Sequence, residues 1–297
     1  MFLRRRENGC RRIGVDITAD SIRCVEVTPG IGITRVDAHT RQDSAGCISS
    51  EVRFLEHSWN FRGASVFIAI SAADILSRVV IIPNHEDAGE RARRLRQLAS
   101  ETVPLESISY ECISAPSASS QEQLVFMAFA HASKLLECKT FAHMLGSIPC
   151  VIDIDVLALF RLWCAHDTSV SRGISLILHV EAQSFRLGLF YSALPIRLRG
   201  GKFSDSEELC HLIEAHVTEG YDLLPNRRLR PKRAFVSAPE REGAPLRDVF
   251  TRIQVQEVEV CDLLQRFRLC QSALDNSRTH SVREFAVAAA LTLEHEY

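Results

Sequence analysis

The residues best placed to do chemistry follow the first apolar segment of the chain. Asp16 lies near the end of a predicted strand, 12–17, and the hydroxyl residues Thr18 and Ser21 come soon after it. A tight turn that offers hydroxyl and backbone N–H groups can bind phosphate, and a carboxylate beside it can hold the water shell of a metal ion. The spacing therefore predicts a phosphate-binding turn at this point.

The segments that follow predict an architecture able to position this turn. Strands are predicted at 12–17, 21–28 and 31–39, a helix at 49–60 and a fully apolar strand at 65–70. This βββαβ order is that of the ribonuclease-H-like unit, an α/β sheet with helices on both faces. We assign residues 10–74 and 148–168 to this first lobe, and residues 75–147, in which strands and helices are mixed, to an inserted small α+β subdomain.

The same design begins again after a polar link. Three further strands are predicted between 174 and 199, followed by a helix whose capping box begins at Ser204 and ends at Glu207. An alanine-rich helix, 282–293, closes the chain. We therefore predict a duplicated two-lobe fold, with residues 172–297 forming the second lobe. The short segment 201–235 predicts that a fourth subdomain is reduced.

Composition excludes several classes of protein. The chain has 297 residues, is 46% hydrophobic and carries a net charge of −2, so it can bury a core but does not resemble a nucleic-acid-binding protein. None of its 10 cysteines forms a CxxC pair, so we expect reduced thiols and no metal site. No signal peptide or span of about 18 apolar residues is found, which predicts a soluble protein with at most peripheral membrane contact.

The order of the segments resembles the PilM family of type IV pilus assembly proteins, in the actin-like ATPase superfamily with the cell-division protein FtsA. The resemblance depends on the order and spacing of short segments over most of the chain. They are Gly14-Val15-Asp16-Ile17, Ser21-Ile22-Arg23, 69–83, Val103-Pro104-Leu105-Glu106, Val151-Ile152-Asp153-Ile154-Asp155, Gly200-Gly201 and Phe285-Ala286-Val287-Ala288-Ala289-Ala290-Leu291. It implies an actin-like fold and a nucleotide cleft between the lobes, near Asp16, Thr18, Ser21, Arg23, Gly200 and Gly201.

Departures from the family pattern indicate a degenerate member. Thr18 stands where the family usually has glycine, and Arg23 where lysine is common. The second phosphate segment usually repeats Asp-x-Gly but here is His179-Val180-Glu181, and the adenosine segment 235–239 has lost its paired glycines. Each lost glycine removes room for a backbone N–H to reach a nucleotide. The six candidate residues are therefore predicted to be a vestigial site in a pseudo-ATPase.

Each candidate also has a structural interpretation. Asp16 could accept hydrogen bonds from the amides of the turn that follows it. The pair Gly200-Gly201 could simply allow a turn before the capped helix. His179 is expected to be a satisfied core histidine, and Glu181 to repel phosphate. Because hydrolysis needs charge stabilisation from both lobes, we expect no catalytic residue.

Two basic segments are candidates for surface contacts. Arg91, Arg93, Arg94 and Arg96 form a basic helix face, and residues 227–233 are the densest charge run. Such runs are usually solvated, but each could dock a partner or an anionic membrane. The missing aromatic residues argue against a nucleic-acid partner.

The resemblance implies a scaffold of a type IV pilus or type II secretion platform. It implies a cytoplasmic protein, peripheral to the inner membrane, that binds the cytoplasmic tail of a PilN-like single-pass protein between the first lobe and the inserted subdomain. The partner-binding residues cannot be named from the sequence. A GspL-like secretion protein would continue into a membrane helix after residue 297, and we expect the separate protein instead.

Two enzymatic alternatives remain open. The first is an active actin-like ATPase that binds ATP and Mg²⁺ in the interlobe cleft, motivated by Asp16 and Ser21. The second is a sugar or acetate kinase of the same superfamily, which would need intact phosphate loops and a polar substrate cluster.

Overall fold

The computed structural model divides the chain into two compact units. One unit comprises Met1–Ser71, Lys134–His166 and Val260–Tyr297, and the other comprises Ala72–Ser133 and Asp167–Glu259. The structure describes residues 3–4, 11–18, 21–40, 55, 58–104, 107–116, 121–147, 149–224, 230–238, 243–261, 267 and 282–293. Most of the helix predicted at 49–60 lies outside these residues, although Leu55 and Ser58 are helical.

Strands and helices alternate along the described chain much as the sequence predicts. The strands are β1 (Leu3–Arg4), β2 (Arg12–Ile17), β3 (Ser21–Thr28), β4 (Gly32–Thr40), β5 (Ser65–Ile70), β6 (Ile75–Pro83), β7 (Ile108–Pro116), β8 (Glu122–His131), β9 (Pro149–Ile154), β10 (Ile174–Glu181), β11 (Ser184–Tyr191), β12 (Leu194–Lys202), β13 (Arg233–Ser237) and β14 (Glu257–Val260). The helices are α1 (Ala88–Thr102), α2 (Ala132–Met144), α3 (Asp155–Cys164), α4 (Ser206–Tyr221), α5 (Gly243–Arg252) and α6 (Ala286–Leu291).

The first unit is built on a six-stranded sheet in the order β1-β9-β5-β2-β3-β4. Strands β2, β5 and β9 are parallel, so their carboxyl ends meet at one edge. The hairpin strands β3 and β4 are antiparallel to their neighbours. Strand β5 is buried at every position, as its uninterrupted apolar sequence predicts.

Helices cover this sheet at close range. Helix α6 packs on β2 so tightly that a Cβ atom on Gly14 would lie 1.9 Å from the carbonyl oxygen of Ala288. Only glycine on the strand and small residues on the helix permit this approach. Helix α2 packs over Ile17 and Ile22, which it contacts through Cys138 and Phe141.

The second unit contains the repeated meander and the insertion. Its five-stranded sheet has the order β12-β11-β10-β13-β14, in which β10 and β13 are parallel. Helices α4 and α5 pack together, and the Tyr221 hydroxyl at the end of α4 donates a hydrogen bond to the carbonyl of Ile253 at 3.2 Å. Burial raises the pKa of Tyr221 to about 12, so this donor stays protonated.

The insertion is a three-stranded sheet, β6-β8-β7, with α1 on one face. Its core joins side chains of both layers, namely Val80, Ile82, Leu95, Ala99, Val125, Met127 and Phe129. Helix α1 is capped by Asp87, whose carboxylate accepts hydrogen bonds from the amides of Gly89 and Glu90.

Two helices belong to a different unit from the one that the sequence predicts. Helix α2 was assigned to the inserted subdomain and α6 to the second lobe, but both belong to the first unit. The capping box of α4 is also shifted by one residue. Asp205 is the cap, accepting from the amide of Glu208 at 2.9 Å, and Glu208 accepts from the amide of Ser204 at 2.7 Å.

Candidate functional site

The first predicted site residue is a buried acid with an arginine directly across the sheet. Asp16 lies near the carboxyl end of β2 and is paired in register with Arg23 of β3. Asp16 is 1% exposed and Arg23 8%, and Asp16 Oδ2 lies 3.7 Å from Arg23 Nη1. An unpaired buried carboxylate would cost several kcal/mol. Arg23 therefore compensates the charge of Asp16.

The turn between β2 and β3 is closed by its own polar groups. The amide of Thr18 donates to the carbonyl of Ser21 at 2.9 Å, and the amide of Ser21 donates to the Thr18 hydroxyl at 3.0 Å. The two hydroxyl oxygens lie 3.1 Å apart. Both amides would have to leave these bonds before they could hold a phosphate. The amides of Ala19 and Asp20, predicted to bond Asp16, lie outside the described residues.

A second buried acid lies at the same edge of the sheet. Asp153 of β9 is 1% exposed and forms an ion pair with Arg161 of α3. Its Oδ1 accepts a hydrogen bond from the amide of Ile154 at 2.8 Å. Asp16, Ala69 and Asp153 are in register across β2, β5 and β9. The carboxyl edge of the parallel strands thus carries two charge-compensated acids.

Sequence reasoning did not select Asp153 as a site residue, although the segment containing it was noted. The usable signal was the same as for Asp16: an acid near the end of an apolar strand. Its partner Arg161 lies on a helix, and only the folded chain brings the two together.

Metal binding would require more ligands than this edge assembles. Mg²⁺ takes near-octahedral oxygen coordination, part of which water or phosphate can supply. Asp16 and Asp153 are separated by the strand β5, which places them about 10 Å apart across two strand spacings. Within the described part of the chain, no group of three or more His, Cys, Asp or Glu side chains could hold a metal ion.

The corresponding hairpin of the second unit holds a buried cluster of three side chains. His179 Nε2 lies 2.7 Å from Glu181 Oε1, and Arg186 Nη2 lies 3.6 Å from Glu181 Oε2. All three residues are less than a tenth exposed. Glu181 was expected to repel phosphate, but its charge is taken up by Arg186 and by the imidazole. His179 was expected to be fully satisfied, but only its Nε2 has a partner: no hydrogen bond to its buried Nδ1 is found among the described residues.

The glycine pair lies within a strand, where the sequence analysis allowed a turn. Gly200 and Gly201 both belong to β12 and face Arg186 and Phe185 of β11. A Cβ atom on Gly200 would lie 2.8 Å from the amide nitrogen of Ala73. Gly200 is therefore needed for the packing of the segment Ala72–Asp74 against β12.

The predicted site residues thus fall into two sets. Asp16, Thr18, Ser21 and Arg23 come together on one hairpin of the first unit. Gly200 and Gly201 belong to the second unit.

The two described arginines of the basic run 227–233 have partners. Arg230 stacks over the ring of Tyr221 at 4.4 Å, and Arg233 bonds both Asp167 and Glu257. Hydrogen bonds from Ser169 and Arg233 lower the pKa of Asp167 to about 2. These arginines stabilise the second unit internally, so they are poor candidates for a membrane contact.

A concave surface of the second unit lies between α4 and α5. This groove has a volume of about 790 Å³. Cys210 and Pro245 form its floor, where the Cys210 thiol donates to the carbonyl of Pro245 at 3.4 Å. Glu207, Glu214 and Asp248 line its sides. The sequence alone does not reveal this groove, because the groove depends on how two helices pack.

The chain has the actin-like ATPase fold, as the solved structures similar to it show. It is similar over 95% of its length to 97% of a chain of a PilM–PilN type IV pilus biogenesis complex, with a TM-score of 0.73 and 15% identity. The cytoplasmic domain of EpsL, an inner-membrane component of the type II secretion system of Vibrio cholerae, matches with a TM-score of 0.56 and 13% identity, over 96% of both chains.

A third similar structure comes from Bacteroides thetaiotaomicron. It is a protein with an actin-like ATPase fold, matched over 96% of both chains with a TM-score of 0.53 and 8% identity. At such identities the likeness defines the fold, and the predicted actin-like α/β class is confirmed. No family model and no curated protein sequence matches the chain. Among the described residues, no helix has both the length and the apolarity needed to cross a membrane.

Proposed function

We propose that the chain is an actin-like scaffold of an inner-membrane assembly platform, of the type IV pilus or type II secretion kind. The observation that carries this proposal is the whole-length likeness to a chain of a PilM–PilN complex, with a TM-score of 0.73. The likeness to the EpsL cytoplasmic domain supports the same class of assembly. The chain would be cytoplasmic and peripheral to the inner membrane, and its partner would be the cytoplasmic tail of a PilN-like single-pass protein.

The chemistry of the two hairpins supports a scaffold rather than an ATPase. Asp16 is compensated by Arg23, and Glu181 by Arg186 and His179. Phosphoryl transfer needs donors and metal ions that are free to stabilise charge developing on the substrate. Side chains that are already paired and buried can contribute little to this stabilisation of charge. We therefore propose a pseudo-ATPase.

Titration with a membrane-protein tail tests the scaffold role. The probe is a fluorescent synthetic peptide. It carries the cytoplasmic tail of a single-pass membrane protein whose gene lies next to the gene of this chain. We expect saturable binding with a Kd in about the micromolar range, measured by fluorescence anisotropy. A scrambled peptide of the same composition is the control. Equal binding of both peptides, or none of the native one, would remove the proposal.

A second candidate function is binding of ATP and Mg²⁺, with or without hydrolysis. The observation that favours it is the pair of acids, Asp16 and Asp153, at the carboxyl edge of the parallel strands. Calorimetry with ATP and Mg²⁺ measures binding and a phosphate-release assay measures hydrolysis, with Asp16→Asn as the matched variant in both. The scaffold proposal expects no binding heat that Asp16→Asn abolishes, and no phosphate release from either protein. Steady release by the native chain that Asp16→Asn abolishes would establish the ATPase instead.

A further inference from the structure

The second unit carries two surfaces of opposite charge and opposite shape. The first, here called the arginine face, consists of Arg93 and Arg96 on the exposed side of α1. They are three residues apart and therefore project from the same side of the helix. The second, here called the acidic groove, is the concave surface between α4 and α5. No residue that lines this groove belongs to α1.

The arginine face is available for an external partner. Arg94, on the same helix, is paired with Glu86, and Arg78 of β6 donates to the Thr102 hydroxyl. Among the described residues, Arg93 and Arg96 have no such ion pair. The buried side of α1 is fixed to the sheet through Leu95 and Ala99. The helix thus presents the arginine face on a rigid, convex element.

The acidic groove has the complementary properties. Its floor is formed by Cys210 and Pro245, and its sides carry Glu207 and Asp248, which are both exposed. A third acid, Glu214, is paired with Arg252 at 3.1 Å, and Glu207 lies 3.9 Å from the imidazole of His211; Arg252 and His211 also line the groove. The Glu207 side chain is nevertheless 86% exposed, and Asp248 is exposed as well. These two are therefore the carboxylates most open to cations from outside.

We propose that the arginine face of one copy of the chain docks in the acidic groove of a second copy. Arg93 and Arg96 would meet Glu207 and Asp248, with α1 lying in the groove as a helix lies in the groove of its receptor. The two surfaces differ, so the contact is heterologous, and repeating it builds an open chain or ring of subunits rather than a closed two-fold dimer.

An anionic membrane fits the arginine face less well than a second copy does. Helix α1 also exposes Glu90 and Glu101, which a sheet of negative headgroups would repel. A groove with charges of its own can accommodate such a mixed surface, and its concave shape matches a convex helix. The complementarity of charge and shape within one chain therefore selects another copy of the chain as the occupant.

Charge exchange between the two surfaces tests the proposal. The native chain should self-associate reversibly in sedimentation velocity at an ionic strength of about 0.01 M and dissociate at about 1 M, where screening is almost complete. Arg93→Glu with Arg96→Glu should weaken association by about tenfold or more, and so should Glu207→Arg with Asp248→Arg. An equimolar mixture of the two double variants should associate as pairs, because the reversed surfaces complement each other.

The control is Arg247→Glu, an equally exposed reversal on α5 that does not line the groove, and it should associate like the native chain. Thermal unfolding of each variant checks that it is folded, and pairing in the mixture itself requires folded partners. The inference is overturned if the native chain stays monomeric at low ionic strength, or if the mixture fails to pair. It is also overturned if the α1 variant loses only binding to phosphatidylglycerol vesicles, which would assign the arginine face to the membrane.

Discussion

The hairpins β2–β3 and β10–β11 are two versions of one design. The connection spans the three residues 18–20 in the first hairpin and the two residues Ala182 and Gln183 in the second. Each hairpin places an arginine of its second strand across from a polar residue of its first: Arg23 across from Asp16, and Arg186 across from His179. In the first hairpin the facing residue is itself the acid. In the second, the acid is Glu181, further along the strand, and it reaches back to both His179 and Arg186.

The comparison shows that the two hairpins share the position of the arginine but not the position of the acid. A buried guanidinium needs a carboxylate nearby, but the carboxylate can come from different positions. In the first hairpin the acid lies near the end of the strand. In the second, the acid lies next to the turn, at the position that Thr18 occupies in the first. The two hairpins thus compensate their buried charges in the same way, but they present different side chains to a ligand.

Replacing the arginines should reveal the largest difference in stability between the two hairpins. Arg23→Leu leaves Asp16 buried without its cross-strand cation and should cost about 3–5 kcal/mol of unfolding free energy. Arg186→Leu should cost less, because Glu181 keeps its 2.7 Å hydrogen bond with Nε2 of His179. Urea denaturation measures the unfolding free energy of both variants. An equal or larger loss for Arg186→Leu would contradict this role of His179.

Gly14 and Gly200, the two glycines packed most tightly against backbone atoms, should rank in stability loss by their clearances. Gly14→Ala places a Cβ atom 1.9 Å from a backbone oxygen of α6, so the helix has to move. We expect a loss at or above the upper end of the roughly 1–3 kcal/mol typical of overpacking. Gly200→Ala meets Ala73 at 2.8 Å and should lose less. Thermal unfolding compares them, and a larger loss for Gly200→Ala would refute the ranking.

Converting one hairpin into the other should be nearly neutral. His179→Asp combined with Glu181→Thr gives the second hairpin the residues of the first, with an acid directly across from Arg186. We expect a change of less than about 1.5 kcal/mol in urea denaturation, because the charge of the arginine remains compensated. Glu181→Thr alone removes that compensation and is the control. If the double variant is no more stable than this control, the hairpins are not equivalent.

An exposed ion pair of the second unit should show the smallest effect. Asp167, paired with Arg233, has its pKa lowered from 3.8 to about 2. Its stabilising effect is therefore fully present above the ordinary pKa and is lost as the pH falls from about 4 towards 2. Asp167→Asn should lower the unfolding midpoint slightly at pH 7 and by a smaller amount at pH 2, where the pH has reached the folded pKa of Asp167. An equal difference at both pH values would rule out ionisation as the cause.

The sequence predicts the strand frame well and the tertiary partners poorly. The strands β2, β3, β5 and β10 can be predicted from the sequence. A strand buried on one face alternates apolar and polar residues, and a strand buried on both faces is apolar throughout. The position of Asp16 near a strand end follows from the same pattern. To predict that Arg23 is the partner of Asp16, one must know the register of β2 and β3. The short turn fixes this register, but no single residue indicates it.

The errors of the sequence analysis arise where packing between distant segments decides. Gly200 resembles a turn glycine until Ala73 is found against it, and Glu181 looks unfavourable until Arg186 is placed across the hairpin. Helices α2 and α6 lie with the first sheet because their small and apolar faces fit β2, a fit that cannot be seen from neighbours in sequence. Periodicity identifies such helices but does not identify their contacts.

The contact between Gly14 and Ala288 has a consequence for synthesis on the ribosome. Strand β2 is translated before the helix that covers it, and the segments of the second unit lie between the two. A nascent chain can therefore complete the second unit while the first still exposes an uncovered strand. During that interval β2 exposes apolar surface that α6 buries in the folded chain.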